Sequence, residues 1–172
     1  MIEVRLAKIA MTASLAAFAL LVAIDNVVDY GTNYLFVQHV LSMDTIFPDS
    51  TLKGRAVTAP ALWQAGYALI IAGEAATGLC FAAGTVALLG RLRAPAALFQ
   101  RAKRLCLAGA GLGFLVWFLG FMVIGGEWFQ MWQSSTWNGQ QAAFRFYVTL
   151  LAVAIFLNQP DAELPGAEAP RR

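Results

Sequence analysis

Four apolar stretches constrain this chain more than any other feature. Each is close to the roughly 20 residues that a helix needs to cross the hydrocarbon core of a bilayer, and they cover residues 6–24, 61–89, 105–124 and 142–157. Hydrophobic residues make up 59% of the 172 positions and charged residues only 13%. A water-soluble globule of this size could not bury so much apolar surface. Because lipid offers no hydrogen bonds to the backbone, each span should be a continuous α-helix, which predicts an all-α, four-helix transmembrane bundle.

Basic residues are distributed unevenly between the two sides of this arrangement. Nine fall on the side that carries both termini: Arg5, Lys8, Arg91, Arg93, Arg101, Lys103, Arg104, Arg171 and Arg172. The opposite side has only Lys53, Arg55 and Arg145. Since positively charged segments stay in the cytoplasm, we expect a multi-pass protein of the bacterial inner membrane with cytoplasmic termini and two external loops.

The two ends of the chain set the limits of the predicted domain. The first span resembles a signal sequence, but residues 21–25 form a poor cleavage site. We therefore expect it to be retained as a transmembrane anchor; cleavage would leave three spans. One transmembrane domain is predicted over residues 1–158. The tail, 159–172, is rich in Pro, Gly, Ala and Glu and is predicted to be disordered and cytoplasmic.

The two predicted external segments are richer in structural signals than simple loops. Residues 25–60 form a connection too long to be bare, with a predicted surface helix at 33–43 and a predicted turn at 44–49. The second segment, 125–141, carries Trp128, Trp132 and Trp137. Indole rings favour the headgroup zone of a bilayer, so we expect this loop to lie on the membrane surface.

Glu74 is the most informative single residue, because it lies near the middle of the second span. A charged carboxylate there costs at least a few kcal/mol unless it is protonated or partnered. Helical periodicity places Tyr67 on the same stripe, and Arg145, with Thr149 one turn further along the fourth span, is the predicted partner. Glu74 either fixes helix register, as part of a buried ion pair or as a hydrogen-bonded carboxyl group, or acts as a proton-titrating or ligand-binding group. Small residues on neighbouring faces predict close helix packing: Gly66, Gly73, Gly84, Gly109 and Gly113.

Other polar candidates lie in the external segments. Asp25 and Asp29 are four residues apart and would share one helix face, where carboxylate oxygens can bind a hard cation; more often such a pair is the solvated end of a helix. Glu127 is a further external carboxylate. His39 and Asp44 lie close in sequence, but one histidine cannot provide bis-histidine haem ligation, and we expect a hydrogen-bonded interfacial histidine. We predict no catalytic residues, no metal site and no cofactor.

Three segments carry a resemblance to a known family. NVVDYGTNYLFVQHVLSMDTIFP at 26–48, YALIIAGEAATG around Glu74, and FMVIGGEWFQMWQSSTWNGQQAAFRF at 121–146 resemble an uncharacterised bacterial family of predicted small integral membrane proteins. The resemblance covers nearly the whole chain except the tail. It implies a four-helix inner-membrane protein and carries no activity. The layout is also similar to claudin-type four-span proteins in topology, but the cysteine pair of the claudin first loop is absent.

Three functions remain open at this point. The leading hypothesis is a non-catalytic accessory or interaction subunit, working with a membrane-protein partner or as a homo-oligomer in the lipid bilayer. The alternative is a proton-, cation- or lipid-binding carrier or receptor centred on Glu74. A membrane enzyme using Glu74, His39 or Asp44 on a lipid is the weakest, because no nucleophile and base are specifically placed together. No nucleic-acid-binding signature is present.

Overall fold

The computed structural model describes residues 1–165, and the described part is helical with no strand. Four helical stretches are long and apolar enough to cross a membrane, which confirms the predicted all-helical architecture with four candidate spans. The elements are α1 (Ile2–Val28), α2 (Tyr30–Ser42), α3 (Pro60–Leu89), α4 (Ala96–Ala102), α5 (Arg104–Phe114), a π-helical segment (Leu115–Trp128) and α6 (Gln140–Asn158). Residues 166–172 of the predicted tail lie outside the described residues.

Helix ends occur where local chemistry favours them. Pro60 begins α3 at a position where its missing N–H costs nothing. Asp29 interrupts the helical path after α1, and its N–H still bonds the carbonyl of Asp25 at 2.8 Å. α2 ends where Met43 adopts a left-handed conformation, with φ of 52°. A helix and a turn are therefore present near the predicted positions 33–43 and 44–49, with the helix starting three residues earlier and ending at Ser42. The position of this helix at a membrane surface stays a prediction.

Small residues allow α3 to pack closely against both α1 and α5. A Cβ atom added to Gly78 would lie 2.6 Å from Cγ of Leu20, and one added to Gly84 would lie 2.9 Å from the backbone nitrogen of Cys106. Further along the α1–α3 contact, the hydroxyl of Thr85 donates to that of Thr12 at 3.0 Å. The predicted close packing at Gly84 is confirmed.

The third span departs from the predicted continuous α-helix. Residues 115–128 form wider turns, and the last of these is closed by the N–H of Phe129 bonding the carbonyl of Ile124 at 3.0 Å. A π-helix satisfies backbone groups within its own segment, so it meets the same membrane requirement as an α-helix. Glycine accommodates these turns: a Cβ at Gly125 would lie 3.4 Å from the carbonyl oxygen of Gly120.

The long helices define two ends of the molecule. At the first, which we call the basic end, the start of α1 meets the α3–α4 connection and residues 159–163. At the other, the loop end, the connections between α1 and α3 and between the π-helical segment and α6 form a small second core. Its buried members come from both connections: Val40, Met43, Ile46, Phe129 and Met131.

Candidate functional site

Glu74 is held inside the protein by neutral partners. It is 2% exposed, and its Oε2 accepts a hydrogen bond from the side-chain amide of Asn26 on α1 at 2.7 Å. Tyr67, two turns away on α3, is also 2% exposed. Its hydroxyl donates to the backbone oxygen of Asn26 at 2.7 Å and lies 3.3 Å from Oδ1 of the same residue. Asn26 is therefore held between the side chains of Glu74 and Tyr67. Helical periodicity did not predict this arrangement.

The predicted pairing of Glu74 with Arg145 is wrong. Arg145 and Thr149 are exposed, and the Thr149 hydroxyl donates to the carbonyl of Arg145 at 2.7 Å. Within residues 1–165, no basic side chain comes within ion-pair distance of Glu74. Helical periodicity correctly placed Arg145 and Thr149 on the same face of α6. The face that turns inward is a different one, which carries Ala143 and Leu150 at 1% and 2% exposure.

A cavity of about 220 Å³ lies against Glu74. Its polar wall is formed by Asn26, Asn33, Tyr67 and Glu74. The remaining wall is apolar and includes four aromatic rings from α2, the π-helical segment and α6: Phe36, Trp117, Phe121 and Phe146. Sequence analysis identified Glu74 and Tyr67 but none of these rings, because they come from elements far apart in the chain.

A second cavity of about 170 Å³ adjoins the first. The two share Phe36, Val37, Ile70 and Phe121 as lining residues. The rings of Phe36 and Phe121 lie nearly parallel, with centroids 6.1 Å apart. None of the residues within 1–165 that line the second cavity carries a charged side chain. A cavity with one polar wall and a wholly apolar cavity therefore meet at a pair of phenylalanine rings.

His39 is part of a local contact at the loop end. Its ring stacks on Trp137 with centroids 4.6 Å apart, and its Nδ1 lies 2.8 Å from the Asp44 carboxylate. The hydroxyl of Ser42 donates to the backbone oxygen of His39 at 3.4 Å and not to the ring. The three side chains are therefore not arranged as nucleophile, base and orienting acid.

The remaining carboxylates among the candidate site residues lie on the surface. Asp25, Asp29 and Glu127 are all exposed, and α1 ends before Asp29. Among residues 1–165, no group of three or more His, Cys, Asp or Glu side chains is placed to hold a metal ion. Asp25, Asp29 and Glu127 therefore belong to no such group.

Two of the three predicted interfacial tryptophans are prominent on the surface. Trp128 and Trp132 are 54% and 47% exposed. The guanidinium of Arg55 lies 4.5 Å from the Trp128 ring centroid, and Phe47 packs edge-on against Trp132 at 5.9 Å. Trp137 is partly buried on His39. Their position at a headgroup zone stays a prediction.

A buried charge cluster, absent from the sequence predictions, closes the basic end. Arg5, Lys8 and Lys103 are each 1% exposed, and the Asp161 side chain is 2% exposed. Lys8 donates to Asp161 at 2.9 Å, and Lys103 forms an ion pair with the same carboxylate. Both ammonium groups also donate to the carbonyl of Gln159. Arg5, Lys8 and Lys103, which were used above to predict the orientation in the membrane, therefore also form buried contacts within the protein.

The charge of Asp161 follows from its surroundings. Burial by itself raises the pKa of a carboxyl group, but the hydrogen bonds and charges of Lys103 and Lys8 outweigh burial. They hold the pKa of Asp161 below its ordinary value of 3.8. Asp161 therefore remains ionised at neutral pH and offsets part of the buried positive charge.

Comparison with known proteins gives one match. A family model described as "Predicted small integral membrane protein (DUF2165)" matches residues 4–160. This span covers the four candidate membrane helices, apart from the first two residues of α1, and contains every residue of the Glu74 cavity. No curated protein matches the chain, and no solved structure does.

Proposed function

Because this chain belongs to the DUF2165 family of predicted small integral membrane proteins, we propose that it acts within a bilayer, as a receptor or carrier that binds a small amphipathic molecule beside Glu74. One observation carries this proposal: an acidic side chain that is 2% exposed lines a cavity of about 220 Å³. Intramembrane carboxylates are expensive and mark sites of binding or transport.

The size of the cavity supports a ligand more than a purely structural role. An apolar cavity of about 150 Å³ accommodates benzene in an engineered protein, so the Glu74 cavity has room for a one-ring molecule with a short polar group. A carboxyl group that served only to fix helix register would be expected to be packed on all sides, since interiors leave few voids larger than a water molecule. The Asn26–Glu74–Tyr67 contacts also link α1 to α3, and the two roles are compatible.

Charge distribution supports a location and an orientation. We propose the bacterial inner membrane, with the basic end in the cytoplasm, because nine of the twelve Lys and Arg residues fall on the side of the termini. In this orientation α2, which contributes Asn33 and Phe36 to the cavity wall, lies toward the external face of that membrane. A ligand would then reach Glu74 from the external side.

A second candidate function is that of an interaction subunit for a membrane-protein partner or a second copy of the chain. The observation in its favour is the group of half-exposed aromatic side chains at the loop end: Phe47, Trp128 and Trp132. Such rings are also typical of a membrane surface. Crosslinking in native membranes distinguishes a protein interface from a membrane surface. Trp132→Gln should abolish a crosslinked species only if the ring of Trp132 contacts another protein.

Binding of two small probes tests the leading proposal. Full-length protein in lipid nanodiscs is dialysed against 2-phenylethanol and against phenethylammonium. Ala142→Phe places a ring in the wall of the Glu74 cavity, and Ala152→Phe, exposed on the same helix outside that wall, is the matched control. We expect saturable binding of at least one probe to the wild type and to Ala152→Phe, with loss in Ala142→Phe. Uptake no greater than that of empty nanodiscs for both probes would overturn the proposal.

A further inference from the structure

We propose that the ligand of the Glu74 cavity is an amphiphilic organic cation, whose ammonium group pairs with Glu74 and whose apolar part extends past Phe36 and Phe121 into the second cavity. This inference rests on the proposed function and specifies the chemical class that the site recognises. It is carried by the juxtaposition of one unpaired carboxylate, several aromatic rings and an adjoining apolar space.

The carboxylate supplies the charge recognition. Glu74 Oε2 accepts the Asn26 amide at 2.7 Å, whereas Oε1 accepts no hydrogen bond from any residue in the described range 1–165. No basic side chain of that range pairs with it either. A buried carboxylate is stabilised most by an opposite charge at short range. A ligand cation would provide that charge, and a ligand anion would be repelled.

The rings select an organic cation over a metal ion. Tyr67, Trp117 and Phe146 line the same cavity as Glu74, and ring faces attract ammonium groups, as in the aromatic cages that bind quaternary amines. Calcium requires six to eight oxygen ligands, and magnesium a near-ideal octahedron of them. The cavity wall offers one carboxylate and a few amide or hydroxyl groups, several of which are already hydrogen-bonded to one another.

The second cavity accounts for an apolar part. It holds about 170 Å³, and among its lining residues are Leu41, Leu69 and Ile124. Phe36 and Phe121 line both cavities. A molecule with a cationic head in the first space and an alkyl or aryl group in the second would bury apolar surface against both rings. Burial of apolar area is the main favourable contribution to such binding.

A matched set of probes tests the charge preference. Phenethylammonium, 2-phenylethanol and 3-phenylpropionate differ mainly in the charge of the terminal group. Equilibrium dialysis against the full-length protein in nanodiscs should give binding at least about tenfold tighter for the cation than for the alcohol, and none for the anion above empty nanodiscs. Glu74→Gln, which keeps an acceptor for Asn26, should remove the preference. Glu127→Gln, at an exposed glutamate outside the cavity, should retain it.

The outcomes separate this inference from the proposed function. If the alcohol binds as tightly as the cation to the wild type, the cationic class is wrong and the binding function stands. If none of the three probes binds saturably, the proposed function itself fails. The comparison of probes on the wild type alone is decisive, so the inference remains testable even if Glu74→Gln does not fold.

A longer probe tests the second cavity. Gly120 lines it, and a Cβ added there meets only a backbone oxygen at 3.7 Å, so Gly120→Leu should fill the space. We expect wild-type protein to bind 4-phenylbutylammonium several-fold more tightly than phenethylammonium. Gly120→Leu should remove that gain and leave phenethylammonium binding unchanged. Equal affinities for the two cations in the wild type would contradict the two-cavity arrangement.

Discussion

The side-chain amide of Asn26 donates to the carboxylate of Glu74 at 2.7 Å, joining the C-terminal part of α1 to the middle of α3. The same asparagine accepts the hydroxyl of Tyr67 through its backbone oxygen. Two buried α3 side chains thus depend on one α1 residue. This relationship, and not the ion pair expected from the sequence, sets the environment of the candidate binding site.

Replacing Asn26 by Leu should destabilise the protein. The change removes the donor but leaves the Glu74 carboxyl group buried, which costs about 1–3 kcal/mol. Denaturant titration in detergent measures this loss as the difference in unfolding free energy between wild type and Asn26→Leu. Gln64→Leu, at an exposed position of α3, should change it little.

A double variant tests the pairing itself. When both partners are replaced by apolar groups of similar size, no buried polar group is left without a partner. Asn26→Leu combined with Glu74→Leu should therefore be more stable than the sum of the two single changes predicts. Strict additivity would show that the two side chains do not interact in the folded protein.

Asp161→Asn should be one of the most destabilising substitutions outside the long helices. Lys8 and Lys103 are each 1% exposed, and loss of their shared carboxylate leaves two buried cations uncompensated, at a cost of about 3 kcal/mol. Glu163→Gln is the matched control, because Glu163 is exposed and its carboxylate accepts a hydrogen bond from the N–H of Ala96 at 2.9 Å, which a glutamine oxygen can also accept. A loss of similar size in both variants would argue against the buried cluster.

Stability should fall in acid through Asp161. Because its folded pKa lies below the ordinary value of 3.8, the ionised group stabilises the folded state fully above that value. This contribution is lost as the pH falls through the folded pKa. Wild type and Asp161→Asn should differ in unfolding free energy near pH 7, and the difference should shrink as the pH falls below 3.8. A difference that is constant with pH would exclude this linkage.

Two glycine substitutions test the helix contacts. A Cβ at Gly78 would lie 2.9 Å from the backbone nitrogen of Leu20, so Gly78→Ala should force the helices apart and cost about 1–3 kcal/mol. Gly111 has nothing within 4 Å of such an atom. Gly111→Ala should therefore be neutral or stabilising by up to about 1 kcal/mol, through helix propensity. Thermal unfolding in detergent distinguishes the two, and equal shifts would contradict the α1–α3 packing.

The sequence predicted the spans well because apolar length is a local property. It also grouped residues correctly by helix face, as for Tyr67 with Glu74. It could not show which face of a helix turns inward when both faces carry apolar residues. In α6 the inward face is the one with Ala143 and Leu150. Arg145 lies on the exposed face of this helix.

Contacts between residues far apart in the chain could not be predicted from the sequence. Lys8 and Asp161 are separated by 153 positions, and a basic residue before an apolar run signals topology whether or not it becomes buried. The aromatic residues around Glu74 were missed for the same reason, because Phe36, Trp117 and Phe146 come from three different elements. Nothing in the local pattern around any one of them indicates a shared cavity.

Labelling with a lipophilic carbodiimide tests the central claim most directly, because this reagent modifies carboxyl groups in apolar, accessible surroundings. Full-length protein in nanodiscs would be labelled, digested and mapped by mass spectrometry, with phenethylammonium or 2-phenylethanol present in parallel samples. The account predicts an adduct at Glu74 that phenethylammonium suppresses and 2-phenylethanol suppresses far less. Labelling confined to exposed carboxylates such as Glu127, or labelling of Glu74 that neither probe changes, would contradict a cation-binding cavity at this residue.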